Sequence, residues 1–152
     1  MIHPYTGASS RETLSEVLEE MRVIGESLAW AGFTLRSGGA GGADRAFEEG
    51  ARRVFGTRLE IYLPWQGFND NPSPLYTISP QAFTLASKVH PAWDRLSAAA
   101  KKLHVRNCHQ VLVADFASPS AFVVCWVPDG CESVRTHALI SHRRHRHSDR
   151  RR

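Results

Sequence analysis

Four glycines within five positions precede Asp44 and form the stretch of this chain best suited to hold a ligand. Glycine adopts backbone conformations with positive φ and lets a ligand approach the main chain closely. A helix that starts here adds unpaired N–H groups and the positive end of its dipole, which favour a bound anion. We interpret the stretch as a phosphate-binding turn; the competing interpretation is a tight turn in which glycine serves backbone geometry alone. The candidate binding residues of this turn are Ser37, Gly38, Gly39, Gly41, Gly42 and Asp44.

Two further segments carry polar groups suited to a nucleotide. A Gly-Ala-Ser-Ser-Arg stretch near the amino terminus offers hydroxyls, backbone N–H groups and a guanidinium, although Ser-Ser-Arg is also a common helix-cap sequence. Arg106 and Gln110 share one face of a predicted helix. Arg106 either binds a phosphate with two hydrogen bonds or forms an ordinary ion pair with Asp94 or Asp129. The candidate binding residues of these segments are Gly7, Ser9, Ser10, Arg11, Arg106, Asn107 and Gln110.

No catalytic set stands out in the sequence. It contains no Gly-x-Ser-x-Gly nucleophile, no Walker lysine after the glycines and no metal-ligand cluster outside the carboxyl-terminal segment. Asp44 is a general base or, as we favour, a cap of its own helix. His90 and His104 flank a helix and are of the kind that is usually structural. We therefore predict a binding protein rather than an enzyme, with no cofactor and no metal ion.

Hydrophobic periodicity predicts the elements that position these residues. Apolar residues recur at helical spacing after a capping box formed by Thr13 and Glu16, with Ser10 as the alternative cap. Gly32 stands where a glycine cap ends such a helix. The apolar stripe consists of Leu14, Val17, Leu18, Met21, Ile24 and Leu28. The other elements predicted in this half are strands at 2–6, 33–36 and 59–63 and a helix at 43–55 whose buried face includes Phe55.

The order β-α-β-α-β predicts an α/β fold, a parallel sheet with helices packed on its faces. Turns at the carboxyl ends of parallel strands lie along one edge, where such folds bind ligands. The first two polar segments follow the first two strands, so we expect them to lie side by side. The sequence therefore predicts one ligand site shared by both turns.

The second half predicts a long loop, more helices and one more strand. The loop at 65–79 is either a functional lid or mobile; its Trp65, Phe68 and Tyr76 contact a nucleobase or simply pack on the surface. A helix is expected from Pro80 to about residue 89, and helical patterns follow from Pro91 to residue 115. The apolar run at 121–127 is typical of a central strand covered on both faces.

Composition favours one soluble cytoplasmic domain. The 152 residues suffice for a real core, and no apolar run approaches the roughly 20 residues of a membrane span. The amino terminus lacks a signal-peptide pattern, and three cysteines without metal-ligand spacing are read as reduced thiols. Six arginines against one aspartate give +5 within residues 143–152, so the rest carries −1 of the formal net +4. A basic DNA-binding patch on the folded body is therefore not expected.

Residues 131–152 are rich in histidine and arginine, with little apolar periodicity, and are predicted to be a disordered basic tail. A His-rich tract can bind metal adventitiously, and a basic tail holds nucleic acid weakly. We favour a solvated tail over a dedicated role.

An ordered series of motifs runs from about residue 5 to residue 130. These are Arg-Ser-Gly-Gly-Ala-Gly-Gly-Ala-Asp at 36–44 with Phe47 and Glu48, Glu-Ile-Tyr-Leu-Pro-Trp at 60–65, His-Pro-Ala-Trp at 90–93, Arg-Asn at 106–107, Gln-Val-Leu at 110–112, Ser120, and Cys-Trp at 125–126 before Asp-Gly at 129–130. The series resembles short phage and bacterial proteins of the SLOG superfamily, which includes DNA-processing protein A (DprA) and the LOG-type phosphoribohydrolases. The resemblance implies that residues 1–130 form a three-layer Rossmann-like domain that binds a nucleotide or nucleotide-derived ligand.

The resemblance leaves three functions open: nucleotide binding without chemistry, hydrolysis of nucleoside monophosphates as in LOG-type enzymes, and single-stranded DNA binding in DNA processing as in DprA. The first is favoured, because the Pro-Gly-Gly-x-Gly-Thr stretch of the hydrolases is absent and the body is nearly neutral. Relatives read Gly-Ser-Arg where this chain has Ser9-Ser10-Arg11, and they continue into a Thr-Gly-Gly-Thr loop that this chain lacks. This departure suggests a truncated or frame-shifted carboxyl terminus. Members of the superfamily often associate, so a homo-oligomer is a further expectation.

Overall fold

The computed structural model describes residues 3–9, 12–113 and 116–128. Its regular elements alternate between strands and helices in the first half of the chain and are mostly helical in the second. The strands are β1 (Pro4–Ala8), β2 (Thr34–Ser37), β3 (Leu59–Ile61) and β4 (Phe122–Cys125), and the helices are α1 (Ser15–Trp30), α2 (Ala43–Arg52), α3 (Pro80–Val89) and α4 (Ala98–Leu112), with short 3-10 turns at Phe68–Asp70 and Trp93–Arg95.

All described strands pair in parallel, in the order β3-β2-β1-β4. Tyr5 and Leu35 belong to the core that α1 and α2 cover. Because side chains alternate along a strand, Thr6 and Arg36 point to the opposite face, where Gln110 of α4 lies 3.4 Å from the Thr6 hydroxyl. Helices thus pack on both faces of the sheet. The predicted α/β fold, a three-layer Rossmann-like parallel sheet, is confirmed.

The start of α1 differs from the predicted capping box. The helix begins at Ser15 with Leu14 in the cap position and no side-chain cap hydrogen bond. The Thr13 hydroxyl lies 2.6 Å from that of Ser9. Leu14 is 56% exposed and lies outside the core, while the rest of the predicted stripe packs into it. Gly32 follows the helix with φ of +82°, as expected of a glycine terminator.

One residue and one strand are less buried than the sequence predicts. Helix α2 ends at Arg52, three residues earlier than predicted, and Phe55 beyond it is fully exposed. Strand β4 pairs with β1 on one side and ends the sheet in the part of the chain that the structure describes. Its residues are half-buried or exposed, so the prediction of a central, doubly covered strand is wrong there.

In the second half of the chain, α3 forms as predicted, and the Ser79 side chain caps it by accepting a hydrogen bond from the Ala82 N–H. The helical pattern after Pro91 is interrupted: a 3-10 turn comes first, and α4 begins only after Ser97, which accepts from the Ala100 N–H. Helix α4 packs on α3 and reaches the sheet at β1 and β2. This contact brings α4 to the face that carries Thr6 and Arg36.

Candidate functional site

The glycine turn joins β2 to α2 as the sequence predicts. Gly39 has φ of +64°, and Gly42, with φ of +76° and ψ of −126°, lies directly before the first residue of α2. Residues with a side chain rarely adopt these backbone conformations, so the turn requires glycine at both positions. Ser9 follows the neighbouring strand β1, so both predicted turns lie at the carboxyl edge of adjacent parallel strands.

Ser37 and Glu48 hold the turn from inside the fold. The Ser37 hydroxyl donates to Oε1 of Glu48 at 2.5 Å and accepts from the Gly39 N–H at 3.3 Å. Both side chains are buried. Burial raises the pKa of Glu48, and the hydrogen bond from Ser37 opposes that shift. The Ser37 side chain therefore shapes the turn from beneath it.

Asp44 joins the turn to α4. Its Oδ2 accepts from the Ala40 N–H at 3.2 Å and lies 3.4 Å from Nη1 of Arg106. Its Oδ1 lies 3.5 Å from Nε2 of Gln110. Burial raises the pKa of Asp44, while the Arg106 cation acts to lower it. Asp44 stands in the first turn of α2, where its charge suits the helix dipole, but it bonds the preceding turn, and the cap residue itself is Gly42.

Arg106 lies directly on the glycine turn. A β-carbon at Gly38 would stand only 1.4 Å from its Nη1 and 2.7 Å from Oδ2 of Asp44. The guanidinium thus occupies the space that any side chain at position 38 would take. The predicted pairing of Arg106 with Gln110 on one helical face is seen, but the ion-pair partner is Asp44 rather than Asp94. Asp129 lies outside the described residues.

The space above Gly41 is open. Gly41 is exposed, and a β-carbon built there meets no atom within 4 Å. This opening adjoins the amino end of α2, whose first N–H groups have no partner inside the helix. The turn thus carries a guanidinium at Gly38, open space at Gly41 and the start of α2 after Gly42. This combination suits a small anion such as a phosphate ester.

The remaining predicted binding residues take several places. Gly7 is buried, and a β-carbon there would lie 2.1 Å from Cδ2 of Phe47, so this glycine makes room for the core. The half-buried Ser9 hydroxyl donates to the Trp126 carbonyl at 3.2 Å. Asn107 is exposed on α4. Ser10 and Arg11 lie outside the described residues.

Sequence reasoning missed the contact between the glycine turn and the loop after β3. The Asn69 side chain donates to the Gly39 carbonyl at 2.9 Å, and a β-carbon at Gly39 would stand 3.4 Å from Nδ2 of Asn71. Two asparagines within the loop were the available signal, since asparagine readily bonds backbone groups. The loop therefore forms a wall beside the turn.

A second polar cluster lies on the α4 face of the sheet. Arg36 is 4% exposed, and its Nε donates to Glu60 at 2.7 Å while Nη1 donates to the Ser118 carbonyl at 2.7 Å. The Tyr62 hydroxyl donates to the same Glu60 carboxylate at 3.1 Å. An arginine within a predicted strand was the sequence signal. The cluster fastens the segment before β4 to β2 and β3.

Neither a metal centre nor a membrane span is found in the described part of the chain. Within residues 3–9, 12–113 and 116–128, no three His, Cys, Asp or Glu side chains come together as metal ligands would. None of the described helices combines the length and the apolar character needed to cross a membrane.

Comparison with known proteins adds one short similarity. No family model matches the chain, and no solved structure matches it. The tRNA 5-methylaminomethyl-2-thiouridine biosynthesis bifunctional protein MnmC of Vibrio vulnificus (strain YJ016) is 36% identical to it over 77 residues. That match covers 39% of this chain and 12% of MnmC, so the chain spans only a small part of this relative.

Proposed function

We propose that this protein binds a nucleotide, or another phosphate ester derived from one, at the turn between β2 and α2. One observation carries the proposal: the Arg106 guanidinium lies against Gly38, in the same turn in which Gly41 has open space around it. The phosphate would lie in that space, bound by the first N–H groups of α2 and by Arg106. The motif resemblance to the SLOG superfamily supports the same ligand class, and we propose membership of that superfamily.

Binding without chemistry is the form of the proposal that the side chains favour. Asp44, in the first turn of α2, is held by Arg106, the Ala40 N–H and Gln110. A general base needs a lone pair directed at its substrate, whereas these contacts direct the carboxylate into the protein. Phosphoribohydrolase activity and single-stranded DNA binding remain the alternatives. The name of MnmC adds tRNA nucleotides to the ligands worth testing.

The first experiment is a thermal-shift screen against nucleoside mono- and diphosphates, ADP-ribose derivatives, tRNA nucleotides and oligonucleotides, with mass-spectrometric analysis of the ligand afterwards. A stabilising nucleotide recovered unchanged supports the proposal. Released base would instead identify the hydrolase, and stabilisation by oligonucleotides alone would identify the DNA-binding protein.

The variant Gly41→Val tests where the phosphate binds. The position is exposed, its φ is not in the left-handed region and a side chain meets no neighbour, so the variant should keep its melting temperature. Its valine would fill the space assigned to the phosphate, and we expect at least a tenfold loss of affinity, or about 1.4 kcal/mol. Ala121→Val, at an exposed position at the amino end of β4, is the matched control. Equal affinity of both variants would refute the site.

A further inference from the structure

We propose that the loop between β3 and α3 forms a nucleoside subsite, so that one ligand spans the glycine turn and this loop; the inference rests on the proposed phosphate site. The loop lines an open cavity of about 470 Å³. That volume lies within the range of roughly 300–1,000 Å³ typical of small-molecule sites. The lining residues that matter here are Gln66, Asp70, Asn71, Ser73 and Tyr76.

The cavity adjoins the proposed phosphate site through Gly39. Its carbonyl accepts from the Asn69 side chain at 2.9 Å, and Asn71, which lines the cavity, comes within 3.4 Å of the β-carbon position of Gly39. The neighbouring residue Gly38 contacts Arg106. Gly38 therefore contacts the Arg106 guanidinium, and the next residue, Gly39, contacts the loop. A phosphate joined to a nucleoside needs such an arrangement, with a cation next to a polar cavity.

Hydrogen bonds to the sheet fix the shape of the loop. The Ser73 hydroxyl donates to the Ile61 carbonyl at 2.6 Å, and the Leu63 N–H donates to the Leu75 carbonyl at 2.7 Å. Asn71 accepts from the Ser73 N–H at 3.0 Å. The cavity wall is thus held in place before a ligand arrives, which reduces the entropy cost of binding.

The polar groups of the cavity favour a neutral part of the ligand over a second anion. Its lining holds amides, hydroxyls and the Asp70 carboxylate, and no lysine or arginine belongs to the described lining. A second phosphate would meet the negative charge of Asp70, whereas ribose hydroxyls and the exocyclic amino group of a base can donate to it. These groups therefore suit a nucleoside rather than a further anion.

Tyr76 supplies the aromatic surface of the cavity. It is 38% exposed and lines the space. The other two aromatic residues predicted to contact a base, Trp65 and Phe68, pack against each other with ring centroids 5.0 Å apart. Stacking on an aromatic ring contributes to binding for every base. Tyr76 is therefore the residue we assign to the base, and Asp70 the one we assign to its amino group or the ribose.

Isothermal titration calorimetry with inorganic phosphate, ribose 5-phosphate and the four nucleoside monophosphates tests the subsite. We expect the preferred nucleotide to bind at least tenfold more tightly than ribose 5-phosphate, because stacking adds about 1–3 kcal/mol per base, and a tenfold ratio corresponds to 1.4 kcal/mol. Tyr76→Ala should remove most of this preference and leave the affinity for inorganic phosphate within twofold. Tyr76→Phe, which keeps the ring, is the matched control and should retain the preference.

Asp70→Asn is the second variant. Asp70 has φ of +57°, a conformation that asparagine also adopts readily, so the variant should fold normally. We expect a several-fold loss of nucleotide affinity and unchanged phosphate affinity. Phosphate binding without any preference for nucleotides, or an unchanged preference in Tyr76→Ala and Asp70→Asn, would overturn the subsite and leave the phosphate site standing. Failure of every phosphate-bearing ligand to bind would overturn the phosphate site as well.

Discussion

Nη1 of Arg106 lies 3.4 Å from Oδ2 of Asp44, with 6% and 12% of the two side chains exposed. The pair joins α4 to the first turn of α2 across the end of β2. It also directs a cation at the glycine turn, because the guanidinium lies against Gly38. One ion pair therefore both links α4 to α2 and positions the charge that we assign to ligand binding.

Removing one partner of this pair should cost more than removing both. Arg106→Met leaves the Asp44 carboxylate buried without its cation, and we expect the free energy of unfolding at pH 7 to fall by about 3 kcal/mol. Asp44→Asn should relieve much of that loss in the double variant. Urea denaturation of the four proteins of the cycle measures the coupling. Additivity within about 0.5 kcal/mol would show that the two side chains do not interact.

Glu48 should make the protein more stable as the pH falls from 8 to 5. Burial raises the pKa of Glu48 in the folded protein, against the hydrogen bond from Ser37 and the charge of Arg52. The folded state therefore binds this proton more readily than the unfolded state, and the cost of the ionised form disappears as the pH falls through the raised pKa. The unfolding free energy of the wild type minus that of Glu48→Gln should accordingly be more positive at pH 5 than at pH 8.

Glu49→Gln is the control for that measurement. Hydrogen bonds from Arg22 and Arg45 lower the pKa of Glu49, so the stability it contributes is lost only below the ordinary glutamate pKa. Between pH 5 and 8 its difference from the wild type should therefore stay nearly constant. A pH trend for Glu48→Gln that is flat, or that runs in the opposite direction, would contradict the assignment of the raised pKa to burial.

Tyr5→Phe should stabilise the protein. Tyr5 is fully buried, and its hydroxyl has no hydrogen-bond partner among the described residues. Phenylalanine keeps the ring contacts with Phe122 and Phe47 and removes the unsatisfied group, so we expect a gain of about 1 kcal/mol in unfolding free energy. Tyr62→Phe removes a hydroxyl that donates to Glu60 and should instead lose about 1 kcal/mol. Equal losses in both variants would contradict the prediction.

Val113→Gly should relieve backbone strain after α4. Val113 has φ of 64° and ψ of 171°, a region adopted almost only by glycine, and such strain costs about 1–3 kcal/mol. Relief of strain offsets the loss of a half-buried side chain, so thermal and urea unfolding should show unchanged or greater stability. Val111→Gly, a similar change inside α4, should lose about 2 kcal/mol through lost burial and helix propensity. A loss at Val113 as large as that at Val111 would argue against strain.

The order of elements could be predicted because each strand and helix has its own hydrophobic period. Leu35 and Phe47 lie in the core where the pattern puts them. Helix ends were less predictable: Thr13 matches the capping pattern, but the helix begins after Leu14 without a side-chain cap, and the Thr13 hydroxyl lies against that of Ser9. Phe55 has a core residue's chemistry, yet α2 ends before it.

The site was predictable in its parts but not in its connections. Helical spacing placed Arg106 and Gln110 on one face, and the glycines marked the turn. Their meeting point, Asp44, precedes Arg106 by 62 residues, and such a contact depends on how α4 packs on the sheet. The contact of Asn69 with Gly39 has the same origin. Contacts of this kind depend on how distant elements pack together, and local sequence patterns do not predict that packing.

The 1.4 Å between Nη1 of Arg106 and the β-carbon position of Gly38 also constrains how the two positions can vary together. Alanine at position 38 would force the Arg106 guanidinium to move away from Asp44, whereas it would fit without such a shift once position 106 carried a shorter side chain. Gly38 and Arg106 should therefore be epistatic. In a library randomised at both positions and selected for folding, side chains at 38 should be recovered together with small residues at 106, and arginine at 106 together with glycine at 38.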